Sequence, residues 1–371
     1  MPDSASEVSV AVMSHPRRNH EASLLAERLE GARVVCDPEP GDDPSPLKTS
    51  LHAWRAVEPG ATHHLVVQDD IDLSDGFLRR VRAGVQLFPD SAIAFYCNWN
   101  SANGAAVRLA AAAGATWAEE TGAEYFPTLA MVLPSRHIDA YLEFAAPFAG
   151  LWRDDDEVVR EFLGSRGIGA VLSVPSLVQH GQLPSLAGNA AHGIRRAACF
   201  SPRMAHDEAC EAVAHSIAQI PWLKAGRVLS MVRSGAQPFS GNQPEYLRRP
   251  WTEMLAPLRL DAAGLRGRFG KLTGRDARLE KARTDLGDQF VYSLWLASYL
   301  MGAITGNDAV PVRVLTEGSP DAGGLMARAG LDTLAAGASI GTVIPADLVE
   351  AYRSELAALT ENGFAGGLAD R

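Results

Sequence analysis

An α/β fold is what this sequence predicts: a layered domain on a mainly parallel sheet over residues 1–206, then a mostly α-helical domain over 207–371. Three observations carry the prediction. Short, largely apolar runs such as "VSVAVMS" (8–14) and "LVV" (65–67) have the composition of strands covered on both faces. They alternate with stretches of helical period, the pattern of strand–helix–strand units. Beyond about residue 203 the helical period continues with no strand series beside it.

The first strand, 8–14, leads into "HPRRNHEASLLAERLEG", where Ala22, Leu25, Ala26 and Leu29 recur at helical spacing. Gly31 stands where a C-terminal glycine cap belongs. "ARVVCD" gives a second strand, "DPEPGDDPSP" is turn chemistry, "LKTSLHAWRAV" is helical, and "HHLVVQ" is the next strand. Further strands are expected in "SAIAFYCN" (91–98), "TLAMVLP" (128–134) and "AVLSVP" (170–175). The later segments "HDEACEAVAHSIAQIPWL", "PEYLRRPWTEMLAPL", "LGDQFVYSLWLASYLMGAI" and "GGLMARAGLDTLAAG" all read as helices. The apolar run 289–305 is too short and too polar for a membrane span, and reads as a core or subunit-contact helix.

Composition narrows the function. With 371 residues and a formal net charge of −10, the chain lacks the basic surface that displaces counterions from nucleic acid. Four cysteines (Cys36, Cys97, Cys199, Cys210) without paired spacing suggest neither a zinc site nor a disulfide framework. The opening residues lack the basic flank and apolar core of a secretory leader. A cytoplasmic protein with no membrane span is the expectation.

The informative stretch is "HHLVVQDDIDLSDGF" (63–77), an apolar strand that ends in Asp69, Asp70, Asp72 and Asp75. Helix capping by Asp72 or Ser74 explains one polar residue there. Two adjacent carboxylates directly after the strand call for a cation, because like charges packed together repel. Mn²⁺ or Mg²⁺, held by oxygens of Asp69, Asp70 and Asp72 and shared with a substrate diphosphate, fits that need. In open α/β sheets ligands sit at the carboxyl ends of the strands, which is where this cluster falls. At the end of the first strand, "SHPRRNH" offers Pro16, Arg17 and Arg18 to phosphate oxygens. Asn98, Trp99 and Asn100 end another strand with the polar and aromatic mixture that suits a sugar. "LWRDDDEVVREFLGSRGIGAVLSVPSLVQHG" places three acids ahead of a helix, then a strand and His180.

Residues 8 to about 203 resemble a bacterial nucleotide-sugar glycosyltransferase of the GT-A fold, a Rossmann-like architecture. "LVVQDD" is similar to the strand-end D-x-D-type motif of that family, and "PSLVQH" to its terminal histidine segment. The resemblance implies Asp70 and His180 as ligands of the divalent cation, Asp69 as a ribose or metal-shell contact, and a nucleotide-diphosphate sugar as donor. It also implies a catalytic acid at the helix start: Asp155 as general base, with Asp154 as the second candidate. An acidic base leans toward inversion at the anomeric carbon. Gln68 departs from the family, standing where many relatives carry a carboxylate. Arg195 is expected to close over the diphosphate, while His63 and His64, at the strand start, read as structural.

Residues 207–371 carry no resemblance. They are expected to wall the acceptor cleft, for a peptide, protein or natural-product scaffold, or to form a homodimer contact. Two other readings use the same acidic edge: a nucleotidyltransferase or metal-dependent phosphohydrolase, and a catalytically degenerate nucleotide-sugar-binding module. "SHPRRNH" lacks the glycines of a nucleotidyl-transfer loop, and the retained acids and His180 speak against decay.

Overall fold

The computed structural model describes residues 7–41, 45–151, 153–181, 183, 193–202, 210–234, 246–319 and 324–370. The chain opens with β1 (Val8–Ser14), α1 (Asn19–Arg28), β2 (Arg33–Cys36), α2 (Pro46–Trp54), β3 (His63–Gln68) and β4 (Ile71–Leu73). It continues through α3 (Phe77–Leu87), β5 (Ala92–Ala94), α4 (Ala102–Ala112), β6 (Trp117–Glu119) and β7 (Ala130–Pro134). Then come α5 (Ile138–Ala145), α6 (Asp155–Arg166), β8 (Ala170–Ser173) and β9 (Val178–His180). Beyond residue 209 lie β10 (Ala212–Ala214), β11 (Gln219–Lys224), β12 (Arg227–Arg233) and β13 (Tyr246–Pro250). The helices α7 (Ala262–Thr273), α8 (Ala277–Leu286) and α9 (Asp288–Gly306) precede β14 (Val312–Val314). The chain closes with α10 (Leu325–Asp332), α11 (Leu334–Ser339), α12 (Ala346–Ala351) and α13 (Arg353–Ala369).

Nine strands form one mixed sheet in the order β14-β10-β6-β8-β5-β7-β3-β1-β2. Strands β1, β2, β3, β5, β8 and β14 run one way, and β6, β7 and β10 run against them. Apolar composition reports burial on both faces and not strand direction, so the reversed strands were invisible in the sequence. Side chains alternate across the sheet with period two. Thus Leu65 and Val67 join one buried cluster with Leu25, Val81 and Phe95, while Val66 joins the other with Leu51, Trp54 and Leu133. His63 and His64 are structural: His64 Nδ1 lies 2.7 Å from Ser9 Oγ and its Nε2 2.9 Å from the Ala53 carbonyl.

The stretch beyond 209 corrects the helical expectation. Residues 212–223, expected as helix, carry β10 and most of β11, where Pro221 forbids a helix interior and Ile220 and Trp222 favour a strand. "PEYLRRPWTEMLAPL" holds β13 and a single turn of 3₁₀ helix, Trp251–Met254, begun after Pro250. Strands β11, β12 and β13 form a separate antiparallel sheet, and β10 and β14 extend the main one.

Buried polar contacts bind this part to the rest. Arg80 of α3 pairs with Glu211, which also accepts hydrogen bonds from Thr116 Oγ1 (2.7 Å) and Trp117 Nε1 (2.8 Å). Arg108 of α4 is wholly buried and donates to the Gly330 carbonyl (2.8 Å), the Trp99 carbonyl (2.7 Å) and Thr333 Oγ1 (2.9 Å). Burial pulls its guanidinium down to about 10, so those three acceptors are what make an interior charge tolerable.

Helix α9, the long apolar run, is buried along nearly its whole length. No helix among the described residues is long and apolar enough to cross a membrane. Its principal partner is α13, and the two backbones meet through glycines four residues apart, Gly302 and Gly306 against Gly363 and Gly367. A Cβ on Gly302 would lie 2.1 Å from the Phe364 carbonyl oxygen, and one on Gly367 would lie 2.0 Å from that of Tyr299. Gly302→Ala therefore forces the helices apart. We expect a loss of about 1–3 kcal/mol, the usual cost of overpacking a filled core, read as a lower urea midpoint. An unchanged midpoint would show that the helices separate without cost.

Candidate functional site

Parallel strands β1, β2 and β3 end side by side, with Ser14 opposite Cys36 and Met13 opposite Gln68. Immediately beyond those ends lie His15, Asp37, Asp69 and Asp70, all on the wall of a cleft of 620 Å³. Asp69 is fully engaged. Its Oδ2 accepts from Ser14 Oγ (2.9 Å) and the His15 amide (3.1 Å), and its Oδ1 accepts from Arg18 (2.9 Å). Asp70 differs: Oδ2 lies 3.0 Å from Arg18, while the buried Oδ1 has no hydrogen-bond partner among the described residues.

A small ribbon brings His180 to Asp70. Strands β4 and β9 pair antiparallel with Ile71 opposite His180, and the Gly181 amide donates to the Asp70 carbonyl at 2.6 Å. A Cβ on Gly181 would stand 2.9 Å from that carbonyl, so only glycine permits the approach. The His180 Nδ1 lies 2.7 Å from the Gly181 carbonyl oxygen. A carbonyl only accepts, so Nδ1 carries a proton there, and Nε2 is the ring nitrogen left to face Asp70. That Nε2 is buried, without a hydrogen-bond partner among the described residues, 3.7 Å from Asp70 Oδ2. A carboxylate and an imidazole facing each other, each with an orphaned atom, fit a divalent cation that takes such ligands. Among the described residues no three carboxylate, imidazole or thiol side chains converge on one metal position. The protein part of such a site is thus Asp70 and His180.

The second acidic group enters the same cleft from α6. Asp155, the first residue of that helix, is 7% exposed, while Asp154 before it is exposed. Burial pushes the Asp155 carboxyl up to about 6, against the pull of a Thr128 hydrogen bond, and the Asp154 charge pushes the same way. Asp156 is raised as well, by burial and by the charge on Asp155. Carboxyls raised in this way beside an open cleft can accept protons near neutral pH.

The other expected residues divide. Asn98, Asn100 and Arg195 line the cleft. Pro16 and Arg17 are exposed and stand off its wall, and Arg18 reaches it bound to the aspartates and not held out for phosphate. Trp99 is a core residue, with Gly337 packed against it, and does not line the cleft. Asp72 is exposed on β4, away from the cleft. Neither Asp72 nor Ser74 caps α3; its N-cap is Gly76 in a left-handed conformation with no side-chain bond.

No protein-family model matches this chain, and no curated protein matches it. The site therefore stands on its own chemistry. Sequence reading passed over Asp37, Tyr96 and Lys224. Asp37 follows β2 as Asp69 follows β3, a strand-end signal hidden inside an acidic turn. Tyr96 is 6% exposed, with an unpartnered hydroxyl that burial pushes well above its ordinary range. Lys224 comes from β11 with no local sign of its role, donating to the Asn100 carbonyl at 3.3 Å. Together with Ala225, Ile340 and Gly341 it makes the C-terminal region part of the cleft wall.

The raised Asp155 carboxyl has a stability consequence. Between the ordinary carboxylate value near 4 and about 6, the native state holds a proton that the unfolded chain has released, so stability falls as pH rises through that window. Asp155→Asn should raise the unfolding midpoint at pH 8 and change it little at pH 4. The reverse pattern would mean that the folded site stabilises the anion.

Proposed function

We propose that the protein is a glycosyltransferase that moves a sugar from a nucleotide-diphosphate sugar to an acceptor nucleophile in this cleft. One observation carries the reading: a strand-end Asp70 with a facing His180, and a buried raised carboxyl, Asp155, open into the same cleft. Asp70 and His180 would hold a divalent cation, which when bound supplies positive charge to the leaving diphosphate.

This chain's own residues account for the remaining steps. Asp37 and Asn98 offer polar atoms to the nucleotide and sugar hydroxyls along the wall. Arg195 and Lys224 supply fixed positive charge within the cleft for the diphosphate as it departs. Asp155 takes the proton from the acceptor as its oxygen or nitrogen attacks the anomeric carbon. The bond from that carbon to the diphosphate oxygen breaks, and the diphosphate leaves with the electron pair. The wall formed by Lys224, Ala225, Ile340 and Gly341 is the side we assign to the acceptor, a peptide or natural-product scaffold.

A thermal-shift panel of nucleotide-sugars with and without Mn²⁺ tests the donor. A true donor at a hundredfold excess over Kd stabilises by roughly 2.7 kcal/mol, and a panel with no shift removes the reading. For the base, Asp155→Asn should keep the donor's shift while transfer to acceptor falls about 10²–10⁴-fold. Loss of donor binding at undiminished turnover would instead put Asp155 in the donor pocket and move the base to Asp154.

A further inference from the structure

We propose that Arg18 is a gate on the Asp70–His180 site, occupying Asp70 until a diphosphate arrives to take the guanidinium, so that divalent cation and diphosphate bind cooperatively through this one side chain. The proposal rests on the nucleotide-sugar reading and names how that same site is regulated. Its ground is an asymmetry between two neighbouring carboxylates. Asp69 holds Arg18 through Oδ1 at 2.9 Å, while its Oδ2 is fixed by Ser14 and the His15 amide. Asp70 meets Arg18 through Oδ2 at 3.0 Å, has an orphaned Oδ1, and faces the orphaned His180 Nε2. Asp69 is the anchor and Asp70 the contact that can be given up.

A guanidinium 3.0 Å from Asp70 Oδ2 repels a dication brought to the same carboxylate, and both groups are nearly buried, where screening by water is weak. A divalent cation alone must therefore displace that charge from Asp70. A diphosphate changes the balance. One nitrogen of Arg18, Nη1, meets both aspartates, whereas a guanidinium fork can take two phosphate oxygens at once, and Arg18 already lines the cleft. It also sits at the N-terminus of α1, an end that favours anions. Once the guanidinium turns to phosphate, Asp70 is left with His180 for the cation. Binding of either ligand must then promote the other to the same extent.

The test is Mn²⁺ titration followed by the electron paramagnetic resonance signal of the free ion. It uses the full chain and its Arg18→Gln variant, each alone and with a saturating nucleoside diphosphate, and the Mn²⁺ taken up by the diphosphate in a protein-free titration is subtracted from each. Parent should bind Mn²⁺ about tenfold more tightly when the diphosphate is present. Arg18→Gln should bind Mn²⁺ alone about tenfold more tightly than parent, with the diphosphate adding little. Arg18→Lys, which keeps one charge but no fork, should fall between them and serves if the glutamine variant does not fold. Asp70→Asn should abolish the signal change in every background. If Arg18→Gln binds Mn²⁺ no more tightly than parent, the gate is overturned while a parent that binds the diphosphate keeps the nucleotide-sugar reading. If the parent binds no nucleoside diphosphate with or without Mn²⁺, that reading fails and the hand-off fails with it.

Discussion

Two carboxylates can stand together at the buried end of β3 because one guanidinium lies between them. Asp69 and Asp70 are both less than a tenth exposed, and adjacent anions in that setting would repel each other and drive up a proton or open the loop. Arg18 supplies the opposite charge from the turn that follows β1, and Ser14 and the His15 amide complete the shell of Asp69. The ends of β1 and β3 are in this way tied by charge as well as by the sheet. Buried ion pairs give back in Coulomb attraction about what they lose in desolvation, so this one is better understood as fixing geometry than as adding stability.

Much of this was legible in the sequence and some was not, for reasons that differ by residue. The apolar cores of β1, β3, β7 and β8 announce themselves because strands covered on both faces keep their polar residues at or near the ends and leave an unbroken apolar centre. The acids at 69, 70 and 155 and the histidine at 180 stand out because their chemistry is costly where the pattern puts them. Strands β10 and β11 were hidden because "EAVAHSIAQIPWL" mixes alanine, which favours helices, with a strand set by its neighbours. Trp99 misled for a simpler reason: an aromatic at a strand end suits a sugar and a core equally. Lys224 reaches the cleft from the second sheet, and nothing near it in the chain says so.

The C-terminal region is inseparable from the cleft in physical terms. Its strands lengthen the main sheet, its helices share one continuous apolar cluster with α2, α4 and α6, and its loops close the wall near Ile340. Arg108 makes the dependence plain. The Trp99 carbonyl it holds belongs to the segment that carries Asn98 and Asn100 into the cleft, and its other acceptors lie in and after α10. The orientation of a loop at the site thus hangs on a helix far along the chain.

That arrangement bears on the order in which the molecule can be made. Arg108 and Thr333 are 225 positions apart, and Arg80 and Glu211 are 131 apart. As the chain emerges from the ribosome, the first half must wait with a guanidinium and an indole whose partners have not been synthesised. Long-range closure of this kind is slow, because the entropy of looping is spent before the contacts form. The part of the cleft wall made by Lys224, Ala225, Ile340 and Gly341 comes into being only when the later chain docks. The aspartates are held by the first half of the chain alone, and the wall that faces them arrives with the second.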